Sequence, residues 1–244
     1  MPETSAKHKK IWGNYVATLR FLTIFPTPKV NARISPKLSM FPLVGLSLGL
    51  LLYLSGLLGS GLYPLATAFI VLLLWEGSTG FLHLDGLGDL ADGLGAAHQD
   101  KAKLLRVMQA PDVGSFAVVA IVLLLLGKFA LLGSLVFVES FAPLLLIPAW
   151  ARLGAAWWAS SLTPLHEGLA SWCRQADRIN LVPWFALLLL LSLIFAPILL
   201  LAPLLLGFWK AFLEHKLGGM NGDALGAGIE ITELGMLLLC CLVA

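Results

Sequence analysis

The chain concentrates its ionisable side chains in a few short stretches, and the densest is His83-Leu84-Asp85-Gly86-Leu87-Gly88-Asp89-Leu90-Ala91-Asp92-Gly93. Coiled as a helix, it places Asp85, Asp89 and Asp92 at i, i+4 and i+7, on one face. Three carboxylates in that register repel one another, and the cost grows beside a low-dielectric membrane. No Lys or Arg lies within the stretch. The economical counter-charge is a divalent cation. Mg²⁺ suits carboxylate and water oxygens, and it is commonly shared between one or two protein carboxylates and the phosphates of a substrate. Asp85, Asp89 and Asp92 are therefore the expected metal ligands. The glycines are expected to admit a close backbone or a phosphate and to weaken the helix, which makes a helix–loop break plausible here. His83 could orient a carboxylate, hold substrate or act as a base, and it joins the candidate catalytic set. The competing structural reading is an acidic connector between two apolar segments. The chain has only 14 acids in all, and three in phase at one edge weigh against it.

A second constellation is Asn221, Asp223, Glu230 and Glu233. Asp223, Glu230 and Glu233 fall at i, i+7 and i+10 of a final apolar segment, and an ionisable group at membrane depth points to function by default. Two cations, Lys128 and Arg152, also sit inside apolar runs. They could clamp phosphate oxygens, which Arg does bidentately, or they could pair with Glu76, Glu230 or Glu233. Arg152, Lys128, Asn221, Asp223, Glu230 and Glu233 are the candidate substrate-binding residues. Carboxylates with Mg²⁺ and buried cations suit phosphoryl transfer, in which catalysis rests on positioning and charge stabilisation.

These residues need a scaffold, and the composition says which kind. The 244 residues are 59% hydrophobic and 12% charged; soluble domains carry about 25% charged residues. The expected fold is all-α, a polytopic membrane bundle forming a single domain over residues 1–244. The net charge of +2 is too small to argue for nucleic acid. Apolar runs of spanning length are Met40–Ser60, Leu62–Leu82, Val113–Gly133, Ser140–Leu162 and Leu225–Ala244. The run Leu181–Phe212 is broken by Pro197 and Pro203 and is read as two spans, Leu181–Phe195 and Ile198–Leu213. That gives seven spans; a single kinked helix would give six. Within residues 1–39, Ile11–Phe25 is expected to lie in the interface as an amphipathic helix ended by Pro26. No cleavable leader is expected, because Met1–Lys10 is polar and basic and the run from Met40 is long enough to remain as an anchor.

The basic residues test this order. Lys7, Lys9, Lys10, Arg20, Lys29, Arg33 and Lys37 precede the first span. Lys101, Lys103 and Arg106 follow the second, Arg174 and Arg178 the fourth, and Lys216 the sixth. The intervening short loops have no Lys or Arg. All basic loops then share one face, which the positive-inside rule makes cytoplasmic, and residues 83–112 form an acidic loop on that face. A prokaryotic plasma (inner) membrane is the expected location. Cys240 and Cys241 are expected to be small packing residues, and the three cysteines give no metal or disulfide spacing. The tryptophans, including Trp157, Trp158, Trp172 and Trp184, are expected to form an aromatic belt at span ends.

The order of motifs resembles the cobalamin synthase family, the adenosylcobinamide-GDP ribazoletransferases. The resemblance runs over nearly the whole chain: Phe21-Leu22-Thr23-Ile24-Phe25-Pro26, Phe41-Pro42-Leu43-Val44-Gly45, the run Gly80 to Gly93, Asn221-Gly222-Asp223-Ala224-Leu225-Gly226-Ala227, and Glu230-Ile231-Thr232-Glu233-Leu234. It implies a Mg²⁺-dependent joining step of cobamide assembly. A hydroxyl of α-ribazole, or of its 5′-phosphate, would attack the cobinamide-side phosphorus of adenosylcobinamide-GDP and release GMP. Asp85, Asp89 and Asp92 match the family's aspartates position for position. The implied partners are the corrinoid-GDP substrate, α-ribazole and a lipid bilayer, with room for a homo-oligomer or a complex with other cobamide-assembly enzymes. The chain departs from the family pattern at Met108-Gln109-Ala110-Pro111-Asp112-Val113-Gly114, where charged side chains are absent or changed. The competing enzyme is a CDP-alcohol-type lipid phosphotransferase, but its Ala-Arg after the first Asp-Gly is here Leu87-Gly88. A secondary transporter would favour broken inverted repeats near the midplane, whereas these acids crowd one face. A purely structural subunit would not need the acidic cluster.

Overall fold

The computed structural model describes residues 2–28, 34–97, 100–165 and 178–243. Ten α-helices account for them in this order: α1 (Pro2–Leu22), α2 (Phe41–Gly59), α3 (Pro64–Ser78), α4 (Leu82–Ala97), α5 (Lys101–Val107), α6 (Ser115–Phe137), α7 (Ala142–Ser161), α8 (Arg178–Phe195), α9 (Ala202–Lys216) and α10 (Gly222–Cys241). Short 3₁₀ turns at Leu38–Met40 and Pro197–Leu201 lead into α2 and α9. Among the described residues there is no strand, only an isolated bridge between Pro164 and Met220.

The expected apolar runs become α2, α3, α6, α7, α8, α9 and α10, with ends moved by a few residues. Prolines set several starts: α2, α3 and α7 each carry one in the first turn, where a missing N–H costs nothing. The predicted break in the long run falls between α8 and the Pro197 turn, where Ala196 leaves helical geometry. By length and composition four helical stretches can cross a membrane: Leu38–Gly59, Ser115–Phe137, Pro197–Lys216 and Gly222–Cys241. The number rises to five if α3 and α4, bent by 82° to one another, form one broken span. Outward faces stay apolar, as on α6, where Phe116, Val119, Leu123 and Leu126 are exposed. The molecule is a polytopic membrane helical bundle.

Helix α7 is the axis. Sixteen of its residues are buried, Trp150 and Trp158 among them, with α2 on one side and α10 on another. Small residues allow this approach. A Cβ on Gly49 would stand 2.1 Å from the carbonyl oxygen of Leu145. The expected aromatic belt is corrected here: Trp158 is buried and donates from Nε1 to the Leu206 carbonyl at 3.0 Å. Trp172 lies outside the described residues, as do Lys29, Arg33, Cys173 and Arg174.

Helix α1 ends at Leu22, before Pro26, and is fastened to the bundle. Val16, Ala17 and Leu22 are buried, and the Tyr15 and Ser47 hydroxyls are 2.8 Å apart. The α4–α5 link and the end of α9 meet at one end of the bundle. Asp100, Lys101, His215 and Lys216 there border a cavity of about 350 Å³. Two of the basic loops thus share an end.

Overpacking a filled interface costs about 1–3 kcal/mol, and a clash with backbone costs more. Gly49→Leu is expected to lower the melting temperature of the detergent-solubilised protein by more than about 5 °C. Leu58→Ala, at an exposed site on the same helix, should shift it little. Thermal unfolding followed by size-exclusion fluorescence checks both.

Candidate functional site

The chain leaves α3 through two residues with left-handed backbone, Gly80 at φ 64° and Phe81 at φ 63°. Left-handed geometry is costly for Phe, and here the Phe81 N–H is held by the Glu76 carbonyl at 3.2 Å. After this turn α4 runs at 82° to α3 and packs against α10 and α6. It remains an unbroken helix from Leu82 to Ala97, so the plausible helix–loop break does not occur. The glycines explain why. A Cβ on Gly86 would sit 2.7 Å from the Asp223 carbonyl oxygen, so α4 and α10 touch backbone to backbone. Packing offsets the poor helix propensity, and the glycines serve helix contact. That contact brings Asp223 to the acidic face of α4.

The three aspartates differ in environment. Asp85 is exposed, Asp89 is half-buried and Asp92 is buried. Burial, then the charges of Asp85, Asp223 and Asp92, push the Asp89 carboxyl up to about 6. Asp92 caps α6: its oxygens accept from the Gly114 N–H at 2.6 Å and the Ala117 N–H at 2.9 Å. Gly114 is needed for this, because a Cβ there would meet Asp92 Oδ1 at 2.5 Å. Of the expected metal ligands, Asp92 thus already holds backbone on both oxygens. Asn221 caps α10, accepting from the Ala224 N–H at 2.9 Å, and its Nδ2 donates to Asp223 Oδ2 at 2.9 Å. Asn221 therefore orients Asp223. Among the described residues no Lys or Arg forms an ion pair with Asp85, Asp89 or Asp92. Hard carboxylate oxygens suit Mg²⁺. Among the described residues, however, the side chains of Asp85, Asp89 and Asp92 do not converge as one three-ligand group. The expected metal set is not brought together as a whole, and Asp92 serves the helix cap instead.

The deeper charges have a different arrangement. Lys128 Nζ donates to Glu76 Oε1 at 2.8 Å, Glu230 Oε2 at 2.6 Å and Glu233 Oε2 at 2.8 Å. It also lies 4.9 Å from the centroid of the Trp75 ring. Arg152 donates to Glu233 Oε1 and to the Pro148 carbonyl. All five charged side chains are buried. Among the described residues, Glu76, Glu230 and Glu233 are the one set of three acids with ligand atoms close enough to share a metal, and the Lys128 ammonium already fills that space. Sequence reasoning left Lys128 and Arg152 open between phosphate clamps and partners of these glutamates; the structure pairs them. The network ties α3, α6, α7 and α10 together. Glu76 entered the sequence reading only as a partner, because a lone acid in an apolar run gives no spacing signal.

His83 links the two levels. It is 4% exposed, its Nε2 is buried with no hydrogen-bond partner, and Arg152, Glu233 and Lys128 act on it electrostatically. It borders a cavity of about 240 Å³ that Asp85 and Asp223 also line. Gln109, Ala110 and Asp112 fall in the link between α5 and α6, next to the turn that Asp92 caps.

Removing one member of a buried ion network costs about 3–5 kcal/mol, because the partners are left uncompensated. Lys128→Met is therefore expected to yield little folded protein. Adding Glu230→Gln should recover part of it by removing one unpaired charge. Monodisperse yield and melting temperature of the single and double variants check this, and equal stability of Lys128→Met and wild type would contradict it.

The profile of the cobalamin-5-phosphate synthase family matches residues 14–241. A protein of Laribacter hongkongensis named adenosylcobinamide-GDP ribazoletransferase is 46% identical over 92% of this chain and 94% of its own length. A relative of the same name from Novosphingobium aromaticivorans is 43% identical over 92% of this chain and 94% of its own. One from Thiobacillus denitrificans is 42% identical over 92% and 93%. No solved structure matches. The length, order and identity of these matches show that the chain belongs to the cobalamin-5-phosphate synthase family.

Proposed function

We propose that the protein is an adenosylcobinamide-GDP ribazoletransferase: it joins the cobinamide phosphate to α-ribazole, or to its 5′-phosphate, and releases GMP. The observation that carries this is the acidic rim in which Asp85 and Asp223 line a cavity together with His83 and Asp89 stands close beside them. It stands in a chain whose relatives bear that name over more than nine-tenths of their length.

In the reaction a ribose hydroxyl attacks the cobinamide-side phosphorus. A new P–O bond forms, the bond to the GMP oxygen breaks, and the hydroxyl proton leaves to the water-facing carboxylates. Charge builds on the phosphate oxygens and on the departing GMP. Mg²⁺ held by Asp85 and Asp89 would supply Lewis-acid stabilisation of that charge. Asp92 sets the height of α4 against α6 through its cap. Asn221 aims Asp223, and Asp223 extends the rim from α10. Lys128, Arg152, Glu230 and Glu233 act beneath the rim as a supporting network that fixes α10. His83 positions substrate at the cavity wall.

The transporter alternative needs intramembrane charges that bind and release a cargo. Here those charges hold one another. The basic residues at the bundle end near α4 support a cytoplasmic site in a bacterial plasma membrane, with the whole chain acting as one catalytic domain.

The purified protein in lipid nanodiscs with Mg²⁺ is expected to release GMP from adenosylcobinamide-GDP only when α-ribazole or its 5′-phosphate is present, and EDTA should stop it. Asp89→Asn should lower turnover by at least about a hundredfold while leaving the folded yield intact. Wild-type protein that releases no GMP beside an active control enzyme would refute the reading.

A further inference from the structure

The cavity beside His83 has a composition that the acidic rim alone does not explain. Its walls are Phe21 from the end of α1, Phe41 at the start of α2, Ala155 and Ala159 from α7, and Ile229 from α10. The Phe21 and Phe41 rings are neighbours, with centroids 6.2 Å apart and planes at 39°. The small residues matter as much as the rings. Ala155 and Ala159 are each 1% exposed, so this part of the wall is set by methyl groups on the most deeply packed helix of the bundle. The polar side chains of the lining are exposed Asp85, half-buried Asp223 and buried His83. The His83 Nε2, buried without a partner, is a polar atom that ordinarily finds one.

Three parts of the reactants compete for such a space. A corrin macrocycle exceeds the ligands that fill ordinary pockets of about 300–1,000 Å³, and this cavity is about 240 Å³. A guanine base carries hydrogen-bonding edges that apolar walls would leave unsatisfied. A flat, largely apolar fused ring matches both the volume and the aromatic face of Phe21 and Phe41. Asp85 and Asp223 are part of the same lining, so a sugar attached to that ring would lie within reach of the acidic rim.

We propose that this cavity is the acceptor subsite: it takes the benzimidazole-type base of the ribazole nucleoside, sets its ribose at Asp85 and Asp223, and fixes by the size of Ala155 and Ala159 how large a base the protein accepts. The inference rests on the acceptor assigned under the proposed function. It makes Ala155 and Ala159 specificity-determining residues, which touch the base and not the reacting phosphorus.

The test uses the full chain in nanodiscs, with Ala159→Phe and the milder Ala155→Val. With each variant, the KM for α-ribazole is expected to rise, at least about tenfold for Ala159→Phe, while the KM for adenosylcobinamide-GDP and the kcat at saturating acceptor stay within about threefold of wild type. The riboside of benzimidazole without its methyl groups should lose less than α-ribazole does. A KM shift that falls on the corrinoid substrate, or no shift on either, overturns the subsite. A fall in kcat alone does so as well. Equilibrium binding of α-ribazole to the same nanodiscs separates this from the reaction itself. If wild type binds α-ribazole and Ala155→Val weakens it, the subsite stands even where no GMP appears; if wild type does not bind it, the subsite is overturned. A melting temperature near that of wild type identifies which variant to score.

Discussion

Charge in a low-dielectric interior must be neutralised locally, and this constraint shapes the molecule at two depths. Within the bundle the neutralising groups belong to the protein. Lys128 gathers Glu76, Glu230 and Glu233, and Arg152 takes the remaining oxygen of Glu233. Buried ion networks contribute little net stability against apolar packing, but they penalise every arrangement that separates their members. This one joins four helices and so fixes the relative placement of α3, α6, α7 and α10. At the bundle end the balance differs. Asp85, Asp89 and Asp92 have no Lys or Arg partner among the described residues, and burial, then the neighbouring carboxylates, raise the Asp89 carboxyl.

The two depths are mechanically connected. α10 carries Glu230 and Glu233 in its middle and Asp223 in its first turn, and the backbone contact at Gly86 carries α4 on that turn. Asp92 then fastens the other side of α4 to the start of α6, the helix that also bears Lys128. Rigid elements rather than loops therefore hold the acidic rim, which suits a reaction governed by positioning.

Much of this was legible in the sequence, for physical reasons that differ from residue to residue. The 3.6-residue period put Asp85, Asp89 and Asp92 on one face without any tertiary information. Apolar run length gave the bundle, and Pro197 gave the break before α9. Other features depend on long-range contacts that no local pattern carries. The cap of Asp92 on Gly114 spans 22 residues of sequence. The placement of Glu76 against Lys128 spans 52. The glycines of α4 looked suited to a phosphate or to a broken helix, and the close approach of α10 is what uses Gly86. Buried tryptophans such as Trp158 looked like belt residues, because hydropathy at a span end does not tell the inside of a bundle from its interface.

The central claim is that the rim acids, unlike the deeper ones, rely on a cation from outside the protein. Electron paramagnetic resonance of Mn²⁺ added to the purified protein in nanodiscs tests it directly. Wild type is expected to bind Mn²⁺ in competition with Mg²⁺. Glu230→Gln should bind it as well, provided the protein is folded, whereas Asp89→Asn should lose most of it. Mn²⁺ bound equally by wild type and Asp89→Asn would contradict the account.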